Sequence, residues 1–167
     1  MASTIITTPI IPGQALDVIS TTKLMPLGTV VSTGDFGEAV YSQALSILSI
    51  YNFVAIDEVS KSSNLTIANQ TVETGIGTKV GVTQVSVNSG EYFWAHTTGA
   101  DLVGKVAQAC ADRVPMFPTS TIGVLDDATS SVAFLPGIYT VSTTSTASAV
   151  TCVLATRSFS MPWSNPA

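Results

Sequence analysis

The chain has 167 residues, of which 46% are hydrophobic and 10% are charged, and its formal net charge is −5. This length predicts one domain, or one domain with an ordered arm, that buries a core without metals or disulfides. The six Lys and Arg residues form no basic cluster, so nucleic acid is excluded as an expected partner. No run of about 18 apolar residues occurs, and no membrane span is therefore expected.

The low charge is accompanied by many Ser and Thr residues. Their short side chains lose little conformational entropy when they are immobilised in a contact. A monomer that stays free in solution normally carries more surface charge than this. The composition therefore predicts a protein whose surface becomes covered in an assembly.

Residues 1–35 are apolar but repeatedly interrupted by proline and glycine, which prevent a long helix. We expect an extended N-terminal arm that lies across the β domain of residues 36–167 or across a neighbouring subunit. The start of the chain lacks a positive charge and a continuous apolar core, so it is not a secretory signal and synthesis in a cytoplasm is expected. The interface residues predicted in this arm are Ile5, Ile6, Ile10, Ile11, Val30 and Val31.

Beyond the arm, β-branched residues and turn-forming residues favour short strands over helices. Seven or so closely spaced strands are typical of a mostly β fold, a small β-sandwich or β-barrel. The predicted strands are Glu38–Tyr41, Tyr51–Asp57, Lys79–Val87, Glu91–His96, Leu102–Ala109, Val114–Phe117, Gly137–Val141 and Ser148–Arg157.

The connections between the first of these strands are less regular. Ser42–Ile50 has an apolar spacing that fits either a turn of helix or a strand, and residues 58–78 are polar and loop-like. The alternation of valines in Lys79–Val87 slips between Val82 and Val85, which predicts a β-bulge. Asn88–Gly90 then predicts a hairpin turn.

His96 is the only histidine, so any Ser–His–Asp or Cys–His mechanism would have to use it. No G-x-S-x-G motif accompanies it, and neither a phosphate-binding loop nor a metal-ligand cluster is present. We interpret His96 as part of an aromatic strand face that covers a core or an interface. The sequence therefore predicts a non-enzymatic protein with no cofactor and no metal.

Aromatic residues supply the other expected interface positions. Tyr92 and Trp94 share one face of the strand Glu91–His96, because alternate residues of a strand point to the same side. Trp163 lies near the end of the sequence and needs a socket in this chain or on a partner, since its ring gains from burial. An alternative reading makes Tyr92, Trp94 and His96 a stacking surface for carbohydrate.

Two further residue pairs leave alternatives open. Cys110 and Cys152 share no CxxC spacing, and they form either a disulfide or two small buried hydrophobes. Asp126 and Asp127 offer carboxylates for a hard cation. However, adjacent residues of an extended chain point in opposite directions, and Asp favours turns. We therefore predict a turn at Asp126–Asp127.

Four segments follow one another along the chain in a distinctive order: GDFGEAVY at 34–41, NFVAID at 52–57, KVGVTQVSVNSGEYFW at 79–94 and STIGVLDDATS at 120–130. In that order they resemble the small capsid cement, or head-decoration, proteins of tailed bacteriophages, especially marine and cyanobacterial phages. The resemblance covers roughly residues 34–160 and contains structural motifs without a catalytic signature. It implies a β-rich trimer or small cluster on the outside of an icosahedral shell, with a terminal arm that clasps the capsid subunits.

The composition and the resemblance together predict a virion protein that is made in the host cytoplasm and stabilises a phage head. Its expected partners are the major capsid protein and copies of itself, as a homotrimer, with neither nucleic acid nor membrane. Two other classes remain open. One is a different virion component, such as a tail-tube or minor head protein, and the other is a secreted carbohydrate-binding β-sandwich.

Overall fold

The computed structural model describes residues 16–33, 37–67, 79–128, 135, 137–141 and 148–154. It is almost entirely β-structure, and the described residues contain no helix long and apolar enough to cross a membrane. The strands are β1 (Val30–Thr33), β2 (Gly37–Ala44), β3 (Phe53–Ile56), β4 (Lys61–Asn64), β5 (Lys79–Val82), β6 (Tyr92–Val106), β7 (Phe117–Pro118), β8 (Leu125–Asp126), β9 (Ile138–Thr140) and β10 (Ser148–Leu154).

Five of these strands close into a barrel in the order β2-β4-β3-β5-β6. The closing contact is the antiparallel pairing of β2 with β6, which runs from Glu38↔Thr98 to Gln43↔Tyr92. β2 and β4 are parallel, and the other neighbours in the barrel are antiparallel. The predicted mostly β fold is confirmed, in its barrel form.

A second sheet extends from the far half of β6. Residues of β6 from Gly99 onward pair with β10, which in turn pairs with β9. β8 adds a short parallel pairing at Val106↔Leu125, and β7 pairs with β8. The prediction of separate strands at Glu91–His96 and Leu102–Ala109 is therefore wrong, because pairing first to β2 and then to β10 keeps the whole segment extended.

Alternation along the barrel strands separates an inner cluster from two outer ones. Val54, Ile56, Phe93 and Ala95 point into the barrel, together with residues of the connecting loops. On the outside, Phe53, Ala55 and Val82 are covered by the last residue of β6 and by residues that follow it. The members of that cover are Val106, Cys110, Met116, Leu125, Leu135 and Ile138.

The other outer cluster is covered by residues 16–33, which we call the strap. β1 of the strap pairs with β2 from Val30↔Val40 to Thr33↔Gly37, and Ser20 forms a bridge with Tyr92. This part of the expected arm lies across the β domain of its own chain, which is one of the two positions predicted for it, since Leu16, Met25, Leu27 and Val31 pack against the barrel. Ile5, Ile6, Ile10 and Ile11 of the predicted arm lie outside the described residues.

Several segments differ from the local prediction because contacts with distant parts of the chain set their structure. Ser42–Ile50 contains no helix, because β2 continues to Ala44 and Leu48 then forms a bridge with Val87. The valine slip is the end of β5 rather than a bulge, since the Thr83 side chain accepts a hydrogen bond from the Val85 N–H at 3.2 Å in a turn. The polar stretch 58–78 contains β4, which was predicted as loop.

The remaining strand predictions agree more closely. Tyr51–Asp57, Gly137–Val141 and Ser148–Arg157 contain β3, β9 and β10, each shorter than predicted. Val114–Phe117 overlaps β7 only at Phe117, and the described bridge of that region joins Met116 to Leu135.

Gly123 provides a test of how the loop before β8 is held on the barrel. It has a φ of 66°, and a Cβ at this position would lie 2.6 Å from the side chain of Asn52. Gly123→Ala should lower the free energy of unfolding by about 2–4 kcal/mol, through backbone strain and overpacking together. Urea denaturation of the purified protein measures this change.

The matched control is Gly90→Ala, where φ is 87° but no heavy atom lies within 4 Å of the added Cβ. This change should cost about 1–2 kcal/mol, the backbone penalty alone. Equal destabilisation by the two variants would contradict the close packing of Gly123 on Asn52.

Candidate functional site

An aromatic cluster lies on the outer face of the barrel beneath the strap. The Tyr41 ring packs against Trp94 with centroids 5.2 Å apart and stacks on Tyr92 at 5.9 Å. Leu16, Met25, Leu27 and Val31 of the strap cover this cluster. The Tyr41 hydroxyl also accepts a hydrogen bond from the Leu24 N–H at 3.2 Å, so the cluster holds the strap by both apolar and polar contacts.

The structure confirms that Tyr92 and Trp94 share a strand face, and of the two roles expected for that face, covering a core or an interface, Trp94 has the first in this chain. Trp94 is 2% exposed, so the contact that it makes is with its own strap. Val31 is part of the same intramolecular contact, whereas Val30 is exposed on β1. Trp163, the remaining predicted interface residue, lies outside the described residues.

Three buried polar atoms of β6 have no hydrogen-bond partner. They are Trp94 Nε1, His96 Nδ1 and Thr98 Oγ1. Trp94 and His96 share one side of the strand, whereas the register with β2 shifts before Thr98, which pairs with Glu38. A buried polar group without a partner costs about 1–3 kcal/mol, so these three atoms destabilise this part of the described core.

His96 lies between the two outer clusters, opposite Ala39 of β2 and Val82 of β5. Burial lowers the pKa of its imidazole from the usual 6.5. Within the described part of the chain, the Nδ1 atom of His96 has no hydrogen-bond partner. The described residues therefore do not give His96 the Nδ1 hydrogen bond that orients the histidine of a catalytic triad.

Cys110, Asp126 and Asp127 form a second cluster, at the junction of two loops. Their ligand atoms all lie within 4.8 Å of one another, because the turn after β8 directs both carboxylates to the same side. Asp126 accepts a hydrogen bond from the Ala128 N–H at 3.3 Å, as in the predicted turn. Asp127 accepts one from the Ala111 N–H at 2.7 Å, so the carboxylates connect the two loops.

Cys110 itself is buried. Its Sγ lies 3.7 Å from Asp126 Oδ1, and burial, followed by the nearby carboxylates, raises the pKa of the thiol. Cys110 packs in the core cluster with Met116 and Leu125, a position that both alternatives left by the sequence allow. One thiol and two carboxylates are donors suited to a metal such as zinc, but here they already hydrogen-bond to the protein.

The third candidate is an uncharged end of the barrel, formed by residues 45–52, 63–67, 83–90 and 119–124, which we call the neutral end. Asn52 connects these segments by donating to Asn64 Oδ1 at 2.7 Å, while Asn64 donates to the Ile47 carbonyl at 2.9 Å. None of these residues carries a charge. Its exposed large apolar side chains are Leu45, Ile47, Ile50 and Ile122.

Sequence reasoning missed the neutral end. The apolar spacing of Ser42–Ile50 was informative about secondary structure, but it does not indicate which side chains the fold leaves uncovered. A sequence signal did exist, namely the absence of charge in residues 42–56, 62–67, 80–90 and 114–125.

The buried His96 predicts a specific pH dependence of stability. Because its pKa is lower in the folded state, the unfolded chain binds the additional proton as the pH falls through 6.5. Stability contributed by neutral His96 is thus complete above that pH and is lost below it, by at most about 1.4 kcal/mol per pH unit. Urea denaturation between neutral pH and the range where carboxylates titrate measures this loss.

The control for that experiment is His96→Gln, which removes the titrating group and keeps a polar side chain. The difference in unfolding free energy between wild type and variant should shrink as the pH falls. A difference that is constant with pH would show that His96 has the same pKa in both states.

The raised pKa of Cys110 predicts slow alkylation, because the thiolate is the reactive species. In the folded protein at mildly alkaline pH, iodoacetamide should modify Cys110 at least about tenfold more slowly than in urea. Peptide mass spectrometry separates its modification from that of Cys152. Equal rates in the two states would mean that the thiol is accessible.

The comparisons with known proteins identify no relative of the chain, so a function has to be inferred from the residues and geometry described above. No protein-family model matches the chain, and no curated protein matches it.

Proposed function

We propose that this chain is a capsid cement protein, a non-enzymatic component that binds the outside of a tailed-phage head and stabilises its shell. The observation that carries the proposal is the neutral end, where several large apolar side chains are exposed on a surface without charge. Ile47 is 70% exposed there, Ile122 58% and Leu45 52%. Exposed large apolar side chains grouped at one end of a fold are a feature of interaction sites.

The charge distribution supports the same proposal. The described residues contain one ion pair, between Asp112 and Arg113 at 3.5 Å, and it is exposed. Lys105 donates to Asn52 at 2.8 Å instead of pairing with a carboxylate, and Glu91 accepts from the Asn88 N–H at 2.7 Å. Attachment of such a protein would depend on buried apolar area, which contributes about 25 cal/mol per Å² before the costs of association.

The strap changes which residues serve as the clasping arm in this proposal. Residues 16–33 cover the aromatic cluster of their own barrel through Leu16, Met25, Leu27 and Val31, while other apolar side chains of the strap, Val18, Ile19, Leu24 and Val30, remain exposed. We therefore assign the arm to the first 15 residues, which include Ile5, Ile6, Ile10 and Ile11. Their position before the strap would let them extend from the barrel to a neighbouring subunit.

The burial of Trp94 counts against the carbohydrate-binding alternative. Stacking on a sugar needs an open ring face, and the strap covers Trp94 to 2% exposure. The large apolar side chains most exposed at the neutral end, Leu45, Ile47, Ile50 and Ile122, are aliphatic. The alternative of another virion component shares the need for apolar contacts and is separated by experiment.

The proposed attachment should tolerate high salt. At about 1 M ionic strength the screening length is about 3 Å, so contacts between exposed charges are largely lost while apolar contacts persist. The purified chain is mixed with shells assembled from the major capsid protein of the same virus and then sedimented at low and at high salt. We expect the bound fraction to change less than about twofold between the two conditions.

Two observations would contradict this proposal. Absence of binding to the shells at low salt would exclude cement function, and full release in high salt would mean that charge holds the protein in place. Negative-stain electron microscopy of the purified chain provides the control for the rival class, because a tail-tube protein would polymerise into rings or tubes.

A further inference from the structure

Cys152 lies on the middle strand of the second sheet, between two residues that face the core. In the register of that sheet it is directly opposite Leu102 of β6 on one side and Thr140 of β9 on the other. Leu102 packs against the core cluster that contains Cys110, and Thr140 is completely buried. Because residues directly opposite each other in antiparallel strands belong to the same face of the sheet, Cys152 has a register position on the face that this cluster covers.

The loop that carries Cys110 is bound to the same sheet. The Thr140 hydroxyl donates a hydrogen bond to the Ala111 carbonyl at 2.8 Å, and the Arg113 N–H donates to the Thr140 carbonyl at 3.2 Å. The residue opposite Cys152 is therefore hydrogen-bonded to the residue that follows Cys110.

This chain of contacts is short enough for a covalent link. A disulfide requires two Cα atoms that are about 4.4–6.8 Å apart. Residues directly opposite in antiparallel strands have Cα atoms about 4.5–5.5 Å apart, and one hydrogen bond of Thr140 spans the remaining gap to the loop. The fold thus brings the two cysteines of the chain to one contact between loop and sheet, although β7, β8 and β9 separate them in the sequence.

We infer that Cys110 and Cys152 form a redox-dependent disulfide that links the loop after β6 to β10. In a reducing cytoplasm the pair remains as two thiols, whereas oxidising surroundings outside a cell favour the bond. The bond fastens the cover of the barrel that includes Cys110 to the sheet that continues from β6.

The bond forms by two successive thiol–disulfide exchanges with a small-molecule disulfide such as oxidised glutathione. One cysteine thiolate attacks the S–S bond of the reagent, which breaks and releases one glutathione. The second thiolate then attacks the mixed disulfide and displaces the other glutathione. The two cysteines together lose two electrons and two protons, and the two released glutathione molecules take them up as thiols.

Equilibration of the purified full chain with known ratios of oxidised to reduced glutathione tests this inference. The reaction is followed until the masses no longer change, since the raised pKa of Cys110 slows exchange. Acid quenching, alkylation and intact mass then give the fraction of chains that contain a disulfide. The effective concentration of the two thiols should be at least about tenfold higher in buffer than in urea, because the fold holds them together.

Peptide mass spectrometry without reduction identifies the bond, and one linked pair of peptides should contain Cys110 and Cys152. An effective concentration in buffer equal to or below that in urea would overturn the inference, because the fold would then hold the cysteines apart. Glutathione adducts without a linked pair, or disulfides only between chains, would overturn it as well.

Thermal unfolding tests whether the bond fastens the cover. Oxidised wild type should unfold at a temperature at least about 5 °C higher than reduced wild type, because the closed loop restricts the unfolded chain. Cys152→Ser is the control, and the same oxidation should leave its unfolding temperature within about 1 °C. An equal rise in the control, or no rise in crosslinked wild type, would contradict the fastening role.

Thr140→Val tests how the loop is positioned, because it removes the hydroxyl that holds Ala111. The effective concentration of the two thiols in buffer should fall at least about threefold. The matched control is Thr29→Val, whose hydroxyl also donates to a carbonyl, that of Pro26 at 2.7 Å, but within the strap. It should leave the effective concentration within about twofold of wild type. Circular dichroism checks that both variants are folded, and equal effects of the two would overturn the role assigned to Thr140.

Discussion

The pairing of β2 with β6 is the constraint on which the remaining structure depends. It closes the barrel, and it sets which residues of both strands point outward. Tyr41 and Trp94 are directly opposite each other in this register, so closing the barrel brings two large aromatic rings together on its outside. A shift by one residue would exchange the inner and outer faces of the strands.

The apolar side chains on the outside of the barrel have to be shielded from water, and two different segments of the chain cover them. The strap covers Tyr41 and Trp94, while the segments after β6 cover Phe53 and Val82. β6 connects these layers, since its first half belongs to the barrel and its second half begins the other sheet. The unpaired polar atoms of Trp94, His96 and Thr98 lie on this shared strand, where a tightly covered face leaves them without partners.

Charged side chains are few in this protein, and neutral polar groups take their place in the core and on the surface. Buried polar contacts in the barrel use hydroxyls and amides, such as the 2.6 Å hydrogen bond between Ser42 and Ser62. Small neutral groups of this kind can be buried with a single partner each, whereas a buried charge needs several. A chain built in this way can offer a dry, neutral contact surface, which is the property that the proposed cement function needs.

Local patterns in the sequence were sufficient for those features that depend on strand geometry. The alternation of residues in Tyr51–Asp57 and Ser148–Arg157 located β3 and β10, and the shared face of Tyr92 and Trp94 followed from the same period of two. The turn at Asp126 followed from the preference of Asp for hydrogen bonds to its own backbone.

Contacts between distant segments decided the rest. β4 has the sequence KSSN, without an apolar pattern, and is a strand because it fits between β2 and β3. Trp94 is intramolecular rather than interfacial because residues more than 60 positions earlier in the chain cover it. Periodicity reports the geometry of a single element, whereas the burial of a face depends on which remote segment packs against it. The sequence by itself therefore determined a mostly β protein with few charged residues, and only the tertiary structure decided which of its apolar residues remain exposed.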